Sequence, residues 1–264
     1  MPLSLLYAGA GVLVGAMVGL TGVGGGSLMT PILMLVFGQS PTIAVGTDIV
    51  FSATTKIAAT VSFGYSRRVD WRIVGRLACG SIPGTSAVIL WFWLTRRTPE
   101  AVNHIIPRLL AIMLGCTAVG LLLQEPLQRW ALNASPSWVE RARRFVPLLT
   151  ILTGLMLGAG VAMTSVGAGA LGTVALFFLY PRRLTPDRLV ATDIAHALPV
   201  TLIAGAGHAT LGHVNLPLVG SLLLGSIPGV LLASRLAIRL PPRFTRMLIA
   251  LMLALVSARM LLGS

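Results

Sequence analysis

The sequence predicts an all-α, polytopic integral membrane bundle built from two related halves, and three observations carry this prediction. Of the 264 residues, 55% are hydrophobic and only 10% are charged, whereas a soluble domain carries about 25% charged residues. Apolar runs as long as the roughly 20 residues that cross a bilayer recur along the whole chain. Four motifs also occur twice in the same order. Lipid is therefore expected to cover most of the outer surface.

Eight apolar runs define the elements, and the short spaces between them leave no room for a soluble domain. The runs cover 4–37, 43–65, 72–94, 104–123, 146–180, 188–211, 216–238 and 243–262. Runs 4–37 and 146–180 are too long for one span and contain glycines near the middle, so each is predicted to form a Gly-broken helical hairpin. Three spans follow each hairpin. This divides the chain into a first membrane repeat at 1–123, a connecting loop at 124–145 and a second membrane repeat at 146–264.

The duplication shows as paired motifs at nearly constant spacing. Residues 21–28 match 164–171, and Thr-Asp-Ile at 47–49 recurs at 192–194. The segment Gly-Ser-Ile-Pro-Gly occurs at 80–84 and again at 225–229, while Gly11 and Gly15 match Gly154 and Gly158. Duplicated halves are frequent in transporters, whose binding site tends to lie where the halves meet.

The distribution of arginine predicts that the two repeats are inverted. The loop after run 43–65 is basic, but its counterpart at 208–216 has no lysine or arginine. The loop at 38–42 is uncharged, but its counterpart at 182–188 has three arginines. Under the positive-inside rule this exchange indicates opposite orientations. The basic loop at 96–108 does not fit this arrangement, because it would lie on the outside. The same arginines account for the net charge of +13 as a topology signal, so no nucleic-acid partner is expected.

The glycine-rich motif is the first candidate for ligand binding. Four of the seven residues at 21–27 are glycine, which weakens a helix and lets the backbone approach a ligand. If a half-helix begins near Ser27, its free N–H groups favour an anion. Close helix packing through small residues is the alternative, and it fits Gly11 and Gly15 well. The candidate contacts are Gly24, Gly25, Gly26 and Ser27, with Gly167 and Gly169 in the second copy.

Ionisable residues inside the spans form the second candidate set, because a charge at membrane depth costs about 2.5–3.5 kcal/mol and often marks function. Lys56, near the middle of its run, is the best single candidate for contact with an anion, and pairing with Asp48 is the alternative. N-capping is the alternative for the aspartates. Thr47 and Thr192 are candidate hydroxyl contacts, and Asp48, Asp193 and His196 are candidates to carry a coupling proton.

The remaining residues indicate no catalytic chemistry. The sequence lacks a nucleophile elbow, a zinc-protease motif and a phosphate-binding loop, so no enzyme activity, no metal and no cofactor are expected. Three pairs of residues are expected to have structural roles. Cys79 and Cys116 are expected to be small core residues, and His208 and His213 to be interfacial. Pro83 and Pro228 are expected to break their helices at matching depths.

Taken in order, these motifs resemble the TauE/SafE family over nearly the whole chain. Its members are described as sulfite or sulfonate exporters or as probable membrane transporters. The second half departs from the pattern at Ala168, Ala170 and Asn215, so the first-half residues receive more weight. The resemblance rests on the two Gly-rich motifs, Val45-Gly46-Thr47-Asp48 with Lys56, Val69-Asp70-Trp71-Arg72, His208 followed by Gly212-His213-Val214-Asn215, and the doubled Gly-Ser-Ile-Pro-Gly.

The resemblance implies a secondary transporter that exports a small sulfur-containing anion, sulfite or an organosulfonate, across the inner cell membrane, with its site between the repeats. The expected partners are this solute and membrane lipid, while proton coupling and a homodimer stay open. The alternatives are an anion channel, an importer of another small anion, and a non-transporting membrane subunit.

Overall fold

The computed structural model describes residues 3–21, 26–62, 69–95, 99–133, 144–167, 169–180, 183–237 and 242–262. These residues form ten helices and no strand, which confirms the predicted all-α membrane bundle. Five of the described helices, the fourth, fifth, sixth, eighth and ninth in chain order, are long and apolar enough to cross a membrane. In chain order the helices are α1 (Leu3–Thr21), α2 (Gly26–Leu35), α3 (Pro41–Ser62), α4 (Trp71–Leu94), α5 (Pro99–Asn133), α6 (Val146–Thr164), α7 (Ala170–Leu179), α8 (Pro186–Thr210), α9 (Leu216–Ala237) and α10 (Pro242–Leu262).

The order of elements is the same in both halves. Each half begins with a helix of 19 residues, α1 or α6, and a short helix of 10 residues, α2 or α7. Three longer helices follow in each half. The second long apolar run is thus divided where the sequence predicts a break, between Thr164 and Ala170. In the first run, residues 22–25 lie outside the described residues. The orientation of the halves relative to the membrane stays a prediction.

The halves are joined by crossed packing of glycine-bearing helices. The first helix of each half packs along the fourth helix of the other, α1 on α9 and α6 on α4. A β-carbon added to Gly154 or Gly158 of α6 would collide with the carbonyl oxygens of Leu77 and Ser81 on α4. Glycine at these positions therefore lets two backbones approach closely, as small residues do between membrane helices.

Glycines on the facing helices complete the same contact. A β-carbon on Gly80 or Gly84 of α4 would meet carbonyl oxygens of α6, and Gly225 and Gly229 of α9 stand in the same relation to α1. The repeated Gly-Ser-Ile-Pro-Gly segment is therefore a packing motif between the halves. Like Gly154 and Gly158, their counterparts Gly11 and Gly15 on α1 lie against carbonyl oxygens of the partner helix.

The prediction that Pro83 and Pro228 break their helices is wrong. Both α4 and α9 continue through the proline, and both proline side chains lie on the exposed side. A proline removes one hydrogen bond, but membrane helices tolerate this loss where neighbouring groups satisfy the backbone.

Helices α3 and α8, the third of each half, pack against each other at the meeting point of the repeats. Helices α5 and α10 form another contact between the halves. In its described part, α5 continues to Asn133, so the beginning of the predicted connecting loop is helical. The expectation that Cys79 and Cys116 are small core residues is wrong, because both are exposed on the outer surface.

Candidate functional site

A cluster of buried polar residues lies between α3 and α8, the helices that carry the repeated Thr-Asp-Ile motif. Lys56 is 6% exposed, Asp193 and His196 are 2% exposed, and Asp48 is fully buried. Neither aspartate caps its own helix, because α3 begins at Pro41 and α8 at Pro186. The structure therefore brings the charged candidates together at the centre of the molecule, where each charge needs a partner.

Lys56 connects the two halves through its charge. Its ammonium group interacts electrostatically with the carboxylate of Asp193 on α8 and with that of Asp48 on its own helix. Pairing with Asp48 alone, the alternative drawn from the sequence, is therefore only part of the arrangement. A second counter-charge comes from the other repeat.

The carboxylate of Asp48 is well supplied with donors. Its Oδ2 accepts hydrogen bonds from the backbone N–H of Thr30 at 3.1 Å and from the Thr30 hydroxyl at 2.5 Å. Its Oδ1 accepts a longer bond of 3.4 Å from Ser52. Thr30 lies in the first half of α2, so Asp48 fixes this short helix to α3. Its negative charge also complements the positive end of the α2 dipole.

Asp193 has the same place in the repeat as Asp48 but a different environment. Its Oδ1 is buried and has no hydrogen-bond partner among the described residues. This oxygen lies so close to Gly172, in the first turn of α7, that a β-carbon there would collide with it. A buried acceptor without a donor costs about 1–3 kcal/mol and calls for an explanation.

Two further polar atoms of the cluster lack partners among the described residues. The Nε2 atom of His196 lies 2.8 Å from the hydroxyl of Ser81 on α4, whereas its Nδ1 is buried and unpaired. The hydroxyl of Ser165 is also buried and unpaired, although it lies near the carboxylate of Asp48. Ser165 ends α6 with a φ of 63°, which is uncommon for a residue with a side chain.

Thr47 and Thr192 take part in a symmetric pair of contacts between the halves. The hydroxyl of Thr192 accepts a 3.1 Å hydrogen bond from the backbone N–H of Asp70, and that of Thr47 accepts a 3.1 Å bond from Asn215. The side chains of Asp70 and Asn215 in turn accept bonds at the first turns of α4 and α9. Asn215, which stands where the first copy has Asp70, therefore still caps its helix. Of the two residues, Asp70 also forms an ion pair, with its Oδ2 2.7 Å from Nη2 of Arg183.

The glycine-rich candidates are described in part. Gly24 and Gly25 lie outside the described residues, as does the side chain of Ser27. The described part of α2 runs from Gly26, and the predicted half-helix start near Ser27 stays a prediction. In the second copy Gly167 and Gly169 are buried, with φ of 133° and 137°, and separate α6 from α7. Only glycine adopts such angles readily.

Comparison with known proteins identifies the group to which this bundle belongs. The family described as Sulfite exporter TauE/SafE matches residues 7–260. The chain belongs to this family. It is 39% identical over 239 residues to the Probable membrane transporter protein YjnA of Bacillus subtilis (strain 168), covering 88% of this chain and 90% of that protein. No solved structure matches the chain significantly.

A second relative carries the same kind of name. The Probable membrane transporter protein YunE of Bacillus subtilis (strain 168) is 31% identical over 114 residues, covering 40% of this chain and 38% of that protein. The family, the names of the relatives and the apolar helices together show a multi-pass membrane protein of a transporter family.

In this TauE/SafE member the side chain of His208 packs inside the bundle, and the position of His208 and His213 relative to the membrane interface stays a prediction. His208 is fully buried, and its Nε2 donates a 2.8 Å hydrogen bond to the carbonyl oxygen of Ala162 on α6. Its Nδ1 lies 3.3 Å from Nδ1 of His213, and the ring of Phe92 contacts both imidazoles edge-on. The pair fastens the end of α8 to α4 and α6.

Four members of the cluster were not singled out from the sequence of this TauE/SafE chain: Thr30, Ser81, Ser165 and Gly172. Ser81 and Ser165 lie in duplicated motifs, which is a signal for them. Thr30 recurs as Thr173, two residues beyond the duplicated motif. Gly172 carries no such signal, because its importance comes from an aspartate on another helix.

Proposed function

We propose that this protein is a secondary transporter that exports a small sulfur-containing anion across the inner cell membrane, with its site around Lys56 between the repeats. One observation carries the proposal. Three buried polar atoms without partners among the described residues, Ser165 Oγ, Asp193 Oδ1 and His196 Nδ1, belong to the cluster around the buried ammonium of Lys56. A site built only for stability would satisfy these atoms within the protein.

The second half offers the better place for an anion. Near the start of α2, the donors of Thr30 are engaged by the carboxylate of Asp48. Near the start of α7, the carboxylate of Asp193 lies beside Gly172 without a described hydrogen bond to its Oδ1. An anion there would meet the positive end of α7 and the ammonium of Lys56 together. Gly167 and Gly169 are then the stronger backbone candidates.

The description of the family supports a sulfur oxyanion as substrate, and an interior-negative potential would favour export by about 2.3 kcal/mol per charge per 100 mV. The rival functions differ in measurable ways. A channel shows no saturable counterflow, an importer of another anion prefers that anion, and a non-transporting subunit is not stabilised by any of these solutes.

The decisive experiment combines binding with flux. Purified protein is screened by thermal shift against sulfite, sulfate, thiosulfate, methanesulfonate and small carboxylates, and the best solute is followed in proteoliposomes. We expect Lys56→Met to abolish the thermal shift and to lower flux at least tenfold, because the anion loses its buried counter-charge. Lys56→Arg keeps the charge and should retain part of the flux.

Thr201→Val is the matched control. Thr201 occupies the place of Lys56 in the second repeat, is equally buried, and bonds only to carbonyl groups of its own helix in the described structure. Its valine variant should transport like the parent protein. Unchanged flux in Lys56→Met would remove the lysine from the site and with it this proposal.

A further inference from the structure

We propose that Asp193 is the resident counter-ion of the anion site, and that it must take up a proton before a substrate anion can replace it beside Lys56. This inference rests on the proposed function. It selects one of three candidate proton carriers and sets the coupling at one proton for each anion.

The first step is the contrast between the two equivalent aspartates. Asp48 accepts two hydrogen bonds from Thr30 and one from Ser52, all of which suit an ionised carboxylate. Asp193 has an unpaired buried oxygen and depends on Lys56 for its counter-charge. A proton on Asp48 would weaken three donor bonds, whereas a proton on Asp193 sacrifices no described bond to its Oδ1. Asp193 is therefore the carboxylate that can change its charge at the lower cost.

The second step is the charge of the empty site. Among the described residues, the charged group that acts on Asp193 is Lys56 on α3, which Asp48 on the same helix also contacts electrostatically, and His196 lies one turn along α8 from Asp193. With both carboxylates ionised and the imidazole neutral, the cluster carries one negative charge. A further anion would then be repelled in a medium of low dielectric constant. A proton on Asp193 removes this charge and releases the ammonium group for the substrate.

The third step is the space that the carboxylate occupies. Its Oδ1 packs directly against Gly172, in the first turn of α7, where a β-carbon would collide with it. That place combines the positive end of a helix of 10 residues with the nearby ammonium group. An anionic substrate seeks both features, so carboxylate and substrate compete for one location.

Because of this competition, the site carries the same net charge when it is empty as when it is loaded with substrate. The empty form holds an ionised Asp193, and the loaded form holds a neutral Asp193 and one monovalent anion. Membrane voltage then does no work on the cycle, and the direction of transport follows the combined gradients of anion and proton. This differs from the voltage-driven export of an anion alone.

The test uses methanesulfonate, which stays a monovalent anion throughout the useful pH range. Calorimetric titration of the purified protein in buffers of different ionisation enthalpy counts the protons taken up per anion. For the parent protein we expect one proton, with an affinity that falls about tenfold per pH unit above the midpoint. Asp193→Asn should bind with no proton uptake and no pH dependence, and Asp48→Asn should retain the uptake.

Proteoliposomes supply a second measurement on the same variants. Flux of methanesulfonate through the parent protein should follow an imposed pH gradient and ignore a potassium diffusion potential set with valinomycin. In Asp193→Asn the flux should ignore the pH gradient and follow the potential. Binding without proton uptake in the parent protein, or coupling that persists in Asp193→Asn, overturns this inference and leaves the transporter proposal standing. Absence of binding and flux for every solute of the screen overturns both.

Discussion

Asp48 and Asp193 differ in their surroundings although they have the same place in the two repeats. Thr30 supplies two donors to Asp48 from α2. Beside Asp193 the described neighbour on α7 is Gly172, which has no side chain to offer. The difference arises outside the duplicated Thr-Asp-Ile motif. Sequence symmetry in a repeat protein therefore does not imply that equivalent ionisable residues have the same task.

The hydroxyl of Thr30 gives a prediction at this scale. Thr30→Val preserves the shape of the side chain but removes the 2.5 Å bond to Asp48, leaving a buried carboxylate short of one donor. We expect a loss of about 1–3 kcal/mol in stability, measured as a lower midpoint of thermal unfolding in detergent. Thr54→Val is the control, because Thr54 is exposed and bonds the carbonyl of Val50 on its own helix. Equal midpoints for the two variants would contradict the assigned role.

At the scale of helices, the glycines fall into two groups, one that packs helices together and one that is a candidate for binding. The first group lies against carbonyl oxygens of a partner helix: Gly11, Gly15, Gly80, Gly84, Gly154, Gly158, Gly225 and Gly229. In the other group, Gly167 and Gly169 adopt backbone angles that only glycine accepts readily. Spacing alone predicts the first group, since small residues four apart form one face of a helix.

Gly158→Ala tests the packing assignment. A β-carbon there collides with the carbonyl oxygen of Ser81, so α4 and α6 must separate, and overpacking of this kind costs about 1–3 kcal/mol. The expected result is a lower unfolding midpoint in detergent. Gly75→Ala, on the open side of α4, should leave the midpoint unchanged or raise it slightly. Similar effects of the two substitutions would show that the close contact of α4 with α6 does not contribute to stability.

The helical elements were largely predictable because lipid imposes a simple rule of length and hydropathy. The glycine-broken runs and the single spans follow from it. The continuity of α4 through Pro83 did not follow, because a proline breaks a helix only where the backbone group it leaves unpaired finds no other partner. That outcome depends on neighbouring helices, which no local pattern describes.

For the whole molecule, the inverted arrangement of the repeats is the main prediction that awaits a test. In a background with Cys79 and Cys116 replaced by serine, we expect Thr210→Cys to react with a membrane-impermeant maleimide in intact cells. Arg72→Cys should react only after the cells are permeabilised. Both positions are exposed, so accessibility to the reagent reports the side of the membrane. Labelling of both in intact cells, or of neither, would exclude inversion.

The site could be predicted as a set of charges but not as a set of contacts. Lys56, Asp193 and His196 stand out because an ionisable residue in an apolar run is rare and costly. Their grouping depends on the packing of α3 against α8, and the choice between the two aspartates depends on Thr30 and Gly172. The motifs favour the first half as the place for an anion, whereas the proposal drawn from the contacts favours the second.

The crossed packing of α1 with α9 and of α6 with α4 bears on the ancestry of the chain. The glycine face of each first helix is covered by the fourth helix of the other half, so neither half completes its own packing. In a half-length ancestor, these glycine faces would have been covered only when the protein associated with a second copy of itself. Gene fusion would then have joined two subunits that already depended on each other, and freed each copy to lose or gain residues such as Lys56 alone.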